Sequence, residues 1–392
     1  MLSERISSLK PSPTIALTSK VREMKSKGVD VIGFGAGEPD IDTPEFIKEA
    51  CYKAMKEGKT KYPPAGGIPE LREAISEKLK KINNIEYKPS EIVVTVGAKL
   101  GLFLIFFALL DKGDEVLLPT PYWVTYEDQI KLCGGVPVYI RLSPKNNFKL
   151  TYEDVKKHIT KRTKIIVINS PVNPTGVVFE EEELRKIAQL CVDRNIFIIS
   201  DECYESLIYD NVNFKSVASF SEEIKKITFT VNSFSKTFSM TGWRVGYVAC
   251  PENYARIISG LNSQFVSNTS TFAQYGALEA LINPESETFI KEVRVLFKKR
   301  RDVIVEALKS IEKVEVVKPE ATFFIFPNFS YYTEKVGNDV KFSDYLLEKA
   351  LVAVLPGSVF GMEGFLRMSF ALDIEHIERG IERIKLSLED LT

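Results

Sequence analysis

KIIVINSPVNPTGVVFEEEELRKIAQLCVDRNIFIISDECYE, residues 164–205, decides the fold. KIIVIN (164–169) is a β-branched run closed by Ser-Pro, which reads as a strand. A rigid turn built on Pro174 and Gly176 comes next, then a charged amphipathic stretch of helical length at 180–193. A second apolar run, IFIIS (196–200), closes the unit. Strand, helix and strand in this order make a crossover between parallel neighbours. Both strands are apolar throughout rather than alternating, as expected where helices cover both faces of a sheet.

The same rhythm extends on either side. EIVVTV (91–96), EVLLP (115–119), VPVYIR (136–141), KITFTV (226–231) and VGYVAC (245–250) read as further strands, most separated by helical patterns. The expected fold is α/β, a mainly parallel sheet flanked by helices. Residues 286–312 form one long charged amphipathic pattern, a helix bridging to the C-terminal part of the chain. Beyond it, VEVV (314–317) and ATFFIFP (321–327) read as strands, and 342–350 and 374–391 as helices, an α+β pattern. The expected division is a large domain at 48–285 and a smaller α+β domain at 286–392, with residues 1–47 an N-terminal segment contributing to the smaller one.

Composition narrows the function. Of 392 residues, 52 are basic and 53 acidic, a net charge of −1, which offers no bulk attraction to nucleic acid or membranes. The five cysteines are widely spaced without C-x-x-C, and the only histidines are His158 and His376, so neither a disulfide framework nor a metal site is expected. MLSERISSLKPSPT lacks the apolar core of a signal peptide, and the most apolar stretch, 100–110, is too short to span a bilayer. A soluble cytoplasmic protein is expected.

The candidate chemistry centres on VNSFSKTFSMTGWRVG (231–246). Lys236 stands among Ser233, Ser235 and Arg244, one amine amid anion-binding donors. That combination suits an enzyme that holds a phosphorylated aldehyde as a Schiff base. A surface lysine in a Ser-rich loop would look the same in isolation. Gly97 ends a strand where a helix opens at Ala98 and Lys99, a seat for phosphate, although Gly is common there in any α/β fold. Trp123, past Pro119-Thr120-Pro121, could stack on an aromatic ring or simply fill the core. Asn173 sits at a turn after one strand. Asp201 ends the next, where a carboxylate could pair with a ring nitrogen or cap a helix; Tyr204 comes three residues later. Ser233-x-x-Lys236 also matches the penicillin-binding motif, but its S-D-N and K-T-G companions are missing. GFGAG (33–37) fails dinucleotide spacing, with Pro39 where a helix should open.

Taken together, GAGEPD (35–40), KYPPAGGIPELREAI (61–75), NSPVNPTG, SDECYE, SFSKTFSMTGWRVGY and LRMSFA (366–371) resemble the class I aminotransferases of pyridoxal-phosphate (PLP) fold type I, on the aspartate aminotransferase side. The similarity runs over nearly the whole length. It implies that Lys236 binds pyridoxal 5'-phosphate covalently and shuttles the proton. Asp201 would keep the pyridine nitrogen protonated, and Tyr204 and Asn173 would bond the phenolic oxygen. The Ala98 and Lys99 amides, Ser233 and Arg244 would hold the phosphate, with Tyr62 reaching over from the partner of a homodimer with shared sites. Trp123 would stack on the ring. Arg367 would grip the substrate α-carboxylate, assisted by Gly37 and Asn173. Lys99 would read the distal carboxylate of aspartate or glutamate, and Thr14 lies in the segment that would close over the substrate. The implied reaction is a ping-pong exchange between aspartate and 2-oxoglutarate, with aromatic or other neutral amino acids, or prephenate, as alternatives. One departure stands out: PEATFF (319–324) replaces the family's P-x-G-A-F-Y, so Ala321, Thr322 and Phe324 differ.

Overall fold

A computed structural model of the chain describes Ile6 and residues 13–391. In chain order the first strands are β1 (Ile32–Gly33), β2 (Ile92–Thr95), β3 (Glu115–Thr120), β4 (Val136–Arg141), β5 (Thr163–Asn169) and β6 (Phe197–Asp201). They are followed by β7 (Thr228–Ser233), β8 (Gly246–Ala249), β9 (Phe324–Ile325), β10 (Val352–Ala353), β11 (Leu355–Pro356) and β12 (Leu366–Ser369). The central sheet has seven strands in the order β2-β8-β7-β6-β5-β3-β4. All pairings are parallel except those of β8, which runs against both β2 and β7.

The uninterrupted apolar strands are explained by two covering layers. Ile166, Ile168 and Ile198 pack with Leu184, Ile187 and Cys191 of the helix Glu181–Arg194. The alternate residues Ile165, Val167 and Ile199 face Leu102, Ile105 and Phe106 of the helix Gly97–Leu109. Successive side chains of a strand point to opposite faces, so each face buries every second residue.

This topology puts the functional residues on one edge. β5, β6 and β7 end there at Asn169, Asp201 and Ser233. Because β8 is reversed, its beginning, just after Arg244, lies at the same edge.

A separate core gathers Phe297, Ile304 and Leu308 of the long helix Glu285–Lys309 with Phe323, Phe324, Met368 and Ile381. Ile32 and Phe34 join it, and β1 pairs with β10. β11, β12 and β9 form a small antiparallel sheet beside it.

Three expected elements differ. VEVV makes only one bridge, Glu315 to Asn328, because Pro327 beside Asn328 has no amide with which to extend a ladder. ATFFIFP shortens to Phe324–Ile325, cut off by Thr322 at φ 65 on one side and Pro327 on the other. The helix expected at 342–350 starts earlier, at Asp339, where Asn338 caps the Lys341 amide; its last turn, Leu346–Ala350, widens to a π-helix. No helix among the described residues is long and apolar enough to cross a membrane.

Candidate active site

Asp201, at the end of β6, is buried. Its Oδ2 accepts from the Tyr126 hydroxyl at 2.6 Å, and its Oδ1 accepts from the Cys203 amide at 3.2 Å. Burial raises its carboxyl above the ordinary value, with these bonds opposing the shift. Lys236 lies in the short turn Phe234–Thr237 directly after β7, and its Nζ donates to the Gly37 carbonyl at 2.6 Å. Burial, reinforced by Arg367 and Arg244, depresses its pKa to about 8, while Cys203 and Glu38 pull the other way. The free amine, the form able to attack a carbonyl, is thereby more accessible near neutral pH than in an ordinary lysine.

Arg367, on β12, faces the same space. Its Nη1 donates to Asn173 Oδ1 at 3.3 Å and its Nη2 to the Gly35 carbonyl at 3.0 Å. The guanidinium is 4.3 Å from the Phe324 ring centroid and 5.1 Å from that of Phe360. Although Arg367 is only 2% exposed, its Nε has no hydrogen-bond partner among the described residues. Burial lowers its pKa to about 10, so it keeps its charge at neutral pH. Tyr204 is buried against Asn173 and Arg367, and burial drives its hydroxyl up, far from ionisation.

A second corner forms at the helix Gly97–Leu109. No side chain caps this helix, so its first amides are open to an anion. The Arg244 guanidinium lies against it. A Cβ on Gly97, itself at φ +72, would meet Arg244 Nη2 at 2.5 Å, and one on Gly246 would meet the Ala98 amide nitrogen at 2.6 Å. Ser233 is buried nearby in sequence, its Oγ accepting from the Ser235 amide at 3.3 Å. Lys99 points its Nζ over Trp123, 5.1 Å from the ring centroid. Burial and the charge of Arg244 lower its pKa, Asp128 opposing. Trp123 itself meets Tyr126 edge to face, with centroids 5.3 Å apart.

The structure thus brings Lys236, Asp201, Tyr204, Asn173, Gly37 and Arg367 to one place, with Ala98, Lys99, Trp123, Ser233 and Arg244 beside it. Tyr62 is not among them; it is 88% exposed. Thr14 falls in the helix Pro13–Ser26, but its side chain lies outside the described residues.

Sequence reasoning missed Tyr126, three residues after Trp123, and that closeness was the only available signal. It also left PEATFF without a physical account. Ala321 is buried, its amide donating to the Gly176 carbonyl at 2.8 Å, and Thr322 takes the left-handed backbone. Phe324, which stands where the family motif has Tyr, lies close enough to Arg367 to stack on its guanidinium.

A seven-stranded sheet with a lysine, a carboxylate and a buried arginine at one edge is the architecture of an aminotransferase. The model of the family "Aminotransferase class I and II" matches residues 29–384; the chain belongs to that family and is a PLP-dependent transaminase. Among its relatives, the probable aspartate/prephenate aminotransferase of Aquifex aeolicus is 65% identical, covering 100% of this chain and 99% of that protein. The aspartate aminotransferase of Bacillus subtilis is 46% identical, with 99% of each chain covered. The solved structure of Thermus thermophilus aspartate aminotransferase with maleate superposes with a TM-score of 0.94 at 40% identity, covering 99% of this chain and 100% of that one.

The residues present fit the family's cofactor. An uncapped helix start with Arg244 against it suits a phosphate, and Lys236 offers an amine of lowered pKa. The unpaired Arg367 Nε suits a substrate carboxylate in the same space.

Proposed function

We propose that this enzyme moves the amino group between aspartate and 2-oxoglutarate in a ping-pong cycle. Arg367 carries the amino-acid part of the proposal, a buried guanidinium whose Nε has no hydrogen-bond partner among the described residues and suits an α-carboxylate, and Lys99, held over Trp123, carries the acidic part. A carboxylate bridging Nε and an outer Nη proton would be held by the planar fork. Phe324, Phe360, Asn173 and Gly35 keep that fork in one orientation.

When bound, pyridoxal phosphate supplies an aldehyde for the amino group and a ring that takes up the electron pair of the substrate Cα–H bond. The Ala98 and Lys99 amides, Ser233 and Arg244 would hold its phosphate. Trp123 would stack on its ring, and Tyr204 and Asn173 would bond its phenolic oxygen. Asp201 would hold the proton on its ring nitrogen. Lys236 would hold its aldehyde and, as a free amine, would take the proton from the substrate Cα; in this structure its Nζ donates to the Gly37 carbonyl. Lys99, stacked on Trp123, reads the distal carboxylate, and Thr14 lies in the segment that covers the substrate.

Residues 48–285 act as the large, cofactor-holding domain. Residues 286–392 form the smaller one, joined by 1–47 through the pairing of β1 with β10. The enzyme works as a homodimer, each Tyr62 serving the phosphate of a second copy. Its exposure supports this, as does the edge-to-face pair Phe107 and Phe265, 46% and 47% exposed. The cytoplasm suits a chain whose five cysteines are all free thiols.

Initial rates with aspartate and 2-oxoglutarate test the cycle. Parallel double-reciprocal lines are expected, and aspartate alone should bleach the cofactor absorbance. Intersecting lines, or no bleaching until both substrates are present, would overturn the proposal. Prephenate is a second acceptor to assay, favoured by the name of the A. aeolicus relative.

A further inference from the structure

Behind the site lies a buried ion pair that the reaction does not use. Lys78, on the helix Pro69–Asn83, meets Glu205, four residues past β6; their side chains are 14% and 6% exposed. Glu205 Oε1 accepts from Lys78 Nζ and from Asn232 Nδ2, the latter at 2.6 Å, and its Oε2 accepts from Asn83 Nδ2 at 2.5 Å. Lys78 Nζ also donates to Asn83 Oδ1 at 2.9 Å and to the Tyr247 hydroxyl at 3.4 Å. Glu202, bonded to Ser200 and Ser216, is a second buried carboxyl, pushed up to about 7 by burial and by Glu205.

Burying an ion pair does little for stability compared with apolar side chains of the same volume, so stability alone gives this cluster no reason to exist. Its direction does. Asn232 is the penultimate residue of β7, paired in the ladder with Tyr247 of β8. While its Nδ2 donates to Glu205, its Oδ1 accepts from the Ser233 amide at 2.7 Å. Ser233 in turn accepts from the Ser235 amide, one residue before Lys236. The bonds therefore run without a break from Lys78 through Glu205 and Asn232 to the turn that carries the reactive amine. The same cluster anchors the residue following Tyr204.

We propose that Lys78, Glu205 and Asn232 are positioning residues for Lys236: they set the direction in which the chain leaves β7, and so the place where the Lys236 amine stands. The inference rests on Lys236 being the reacting amine. Asn232→Ala cuts the link to Ser233 and leaves the ion pair whole. The double variant Lys78→Met/Glu205→Leu removes the charges and keeps apolar volume.

Three measurements are made on each: steady-state kinetics of the holoenzyme, the absorbance maximum of its bound cofactor, and competitive acetylation of the apoprotein read by mass spectrometry. Both variants should lower kcat by about tenfold or more while KM for aspartate stays within about twofold. Both should shift the absorbance maximum and change the acetylation rate of Lys236 relative to other lysines. A lower melting temperature with unchanged kcat, spectrum and Lys236 reactivity would overturn the proposal, leaving the cluster purely structural. Borohydride reduction of the wild type separates the two levels. Label on Lys236 with no effect in the variants refutes the brace alone, whereas label on another lysine refutes the role of Lys236 and the brace with it.

Discussion

Tyr126→Phe removes one hydroxyl from a buried ring and leaves its shape. That hydroxyl is the shorter of two bonds to Asp201, 2.6 Å against 3.2 Å from the Cys203 amide. A hydrogen bond to a charged group contributes about 1.5–3 kcal/mol. Losing it should push the Asp201 carboxyl further above its already raised value. A more basic Asp201 draws the ring proton toward itself and weakens the ring as an electron sink. Full expression of that energy in the barrier would lower kcat with aspartate by about 10- to 150-fold. Unfolding of the apoprotein in urea gives a second readout. A carboxyl raised in the folded state costs stability above its folded pKa, and that cost disappears as pH falls and it protonates. The variant should therefore be less stable than wild type at pH 7, with the gap narrowing in acid. Activity within threefold of wild type, together with a gap that does not change with pH, would refute the role given to Tyr126 and Asp201.

Four further outcomes are expected. Lys99→Ala should lower kcat/KM for aspartate by about 10- to 100-fold and leave alanine or phenylalanine nearly unchanged, since it removes one charged hydrogen bond; equal loss for both classes would assign Lys99 to the phosphate alone. Phe324→Leu takes away the ring stacked 4.3 Å from the Arg367 guanidinium, and should raise KM for every amino acid by a few-fold, as befits a cation–π contact of about 1 kcal/mol; kinetics on two unlike substrates checks it. In the apoprotein, the acetylation rate of Lys236 should rise with a midpoint near pH 8, below that of surface lysines; a midpoint near 10.5, the ordinary lysine value, would contradict the burial. Mixing Tyr62→Ala with Lys236→Ala subunits should restore activity, because mixed dimers would carry one site free of both defects; no recovery at any ratio argues against shared sites.

The strand ends are legible in the sequence because a parallel sheet writes itself as apolar runs, and each run here stops at a polar residue or a turn. That is how Asp201, Asn173 and the turn holding Lys236 can be placed on one edge from the sequence. Arg367 is different. Nothing near LRMSFA says that β12 turns its arginine toward an edge formed by residues 169–233; family likeness, not periodicity, singles it out. Tyr126 is illegible for another reason. Its partner Asp201 is distant in sequence, and a tyrosine in a helix after a strand is ordinary core material. VEVV shows the opposite failure, β-branched residues with strand propensity beside a neighbour that pairs with them at only one residue, Asn328. Lys78 and Glu205 look like surface charges in any sequence window, and only packing reveals them inside.

The pairing of β1 with β10 joins Ile32 to Val352, and Gly35 waits in the same way for Arg367. At roughly 5–20 residues per second of synthesis, the early partner emerges from the ribosome some tens of seconds before the late one. Phe34 meanwhile lacks the core it will join, which includes Met368 and Ile381. The growing chain therefore passes through a long interval with the sheet partly built, the substrate corner missing and an apolar segment near its start uncovered. That interval leaves apolar surface open that the finished enzyme buries, the condition under which partly folded chains tend to aggregate.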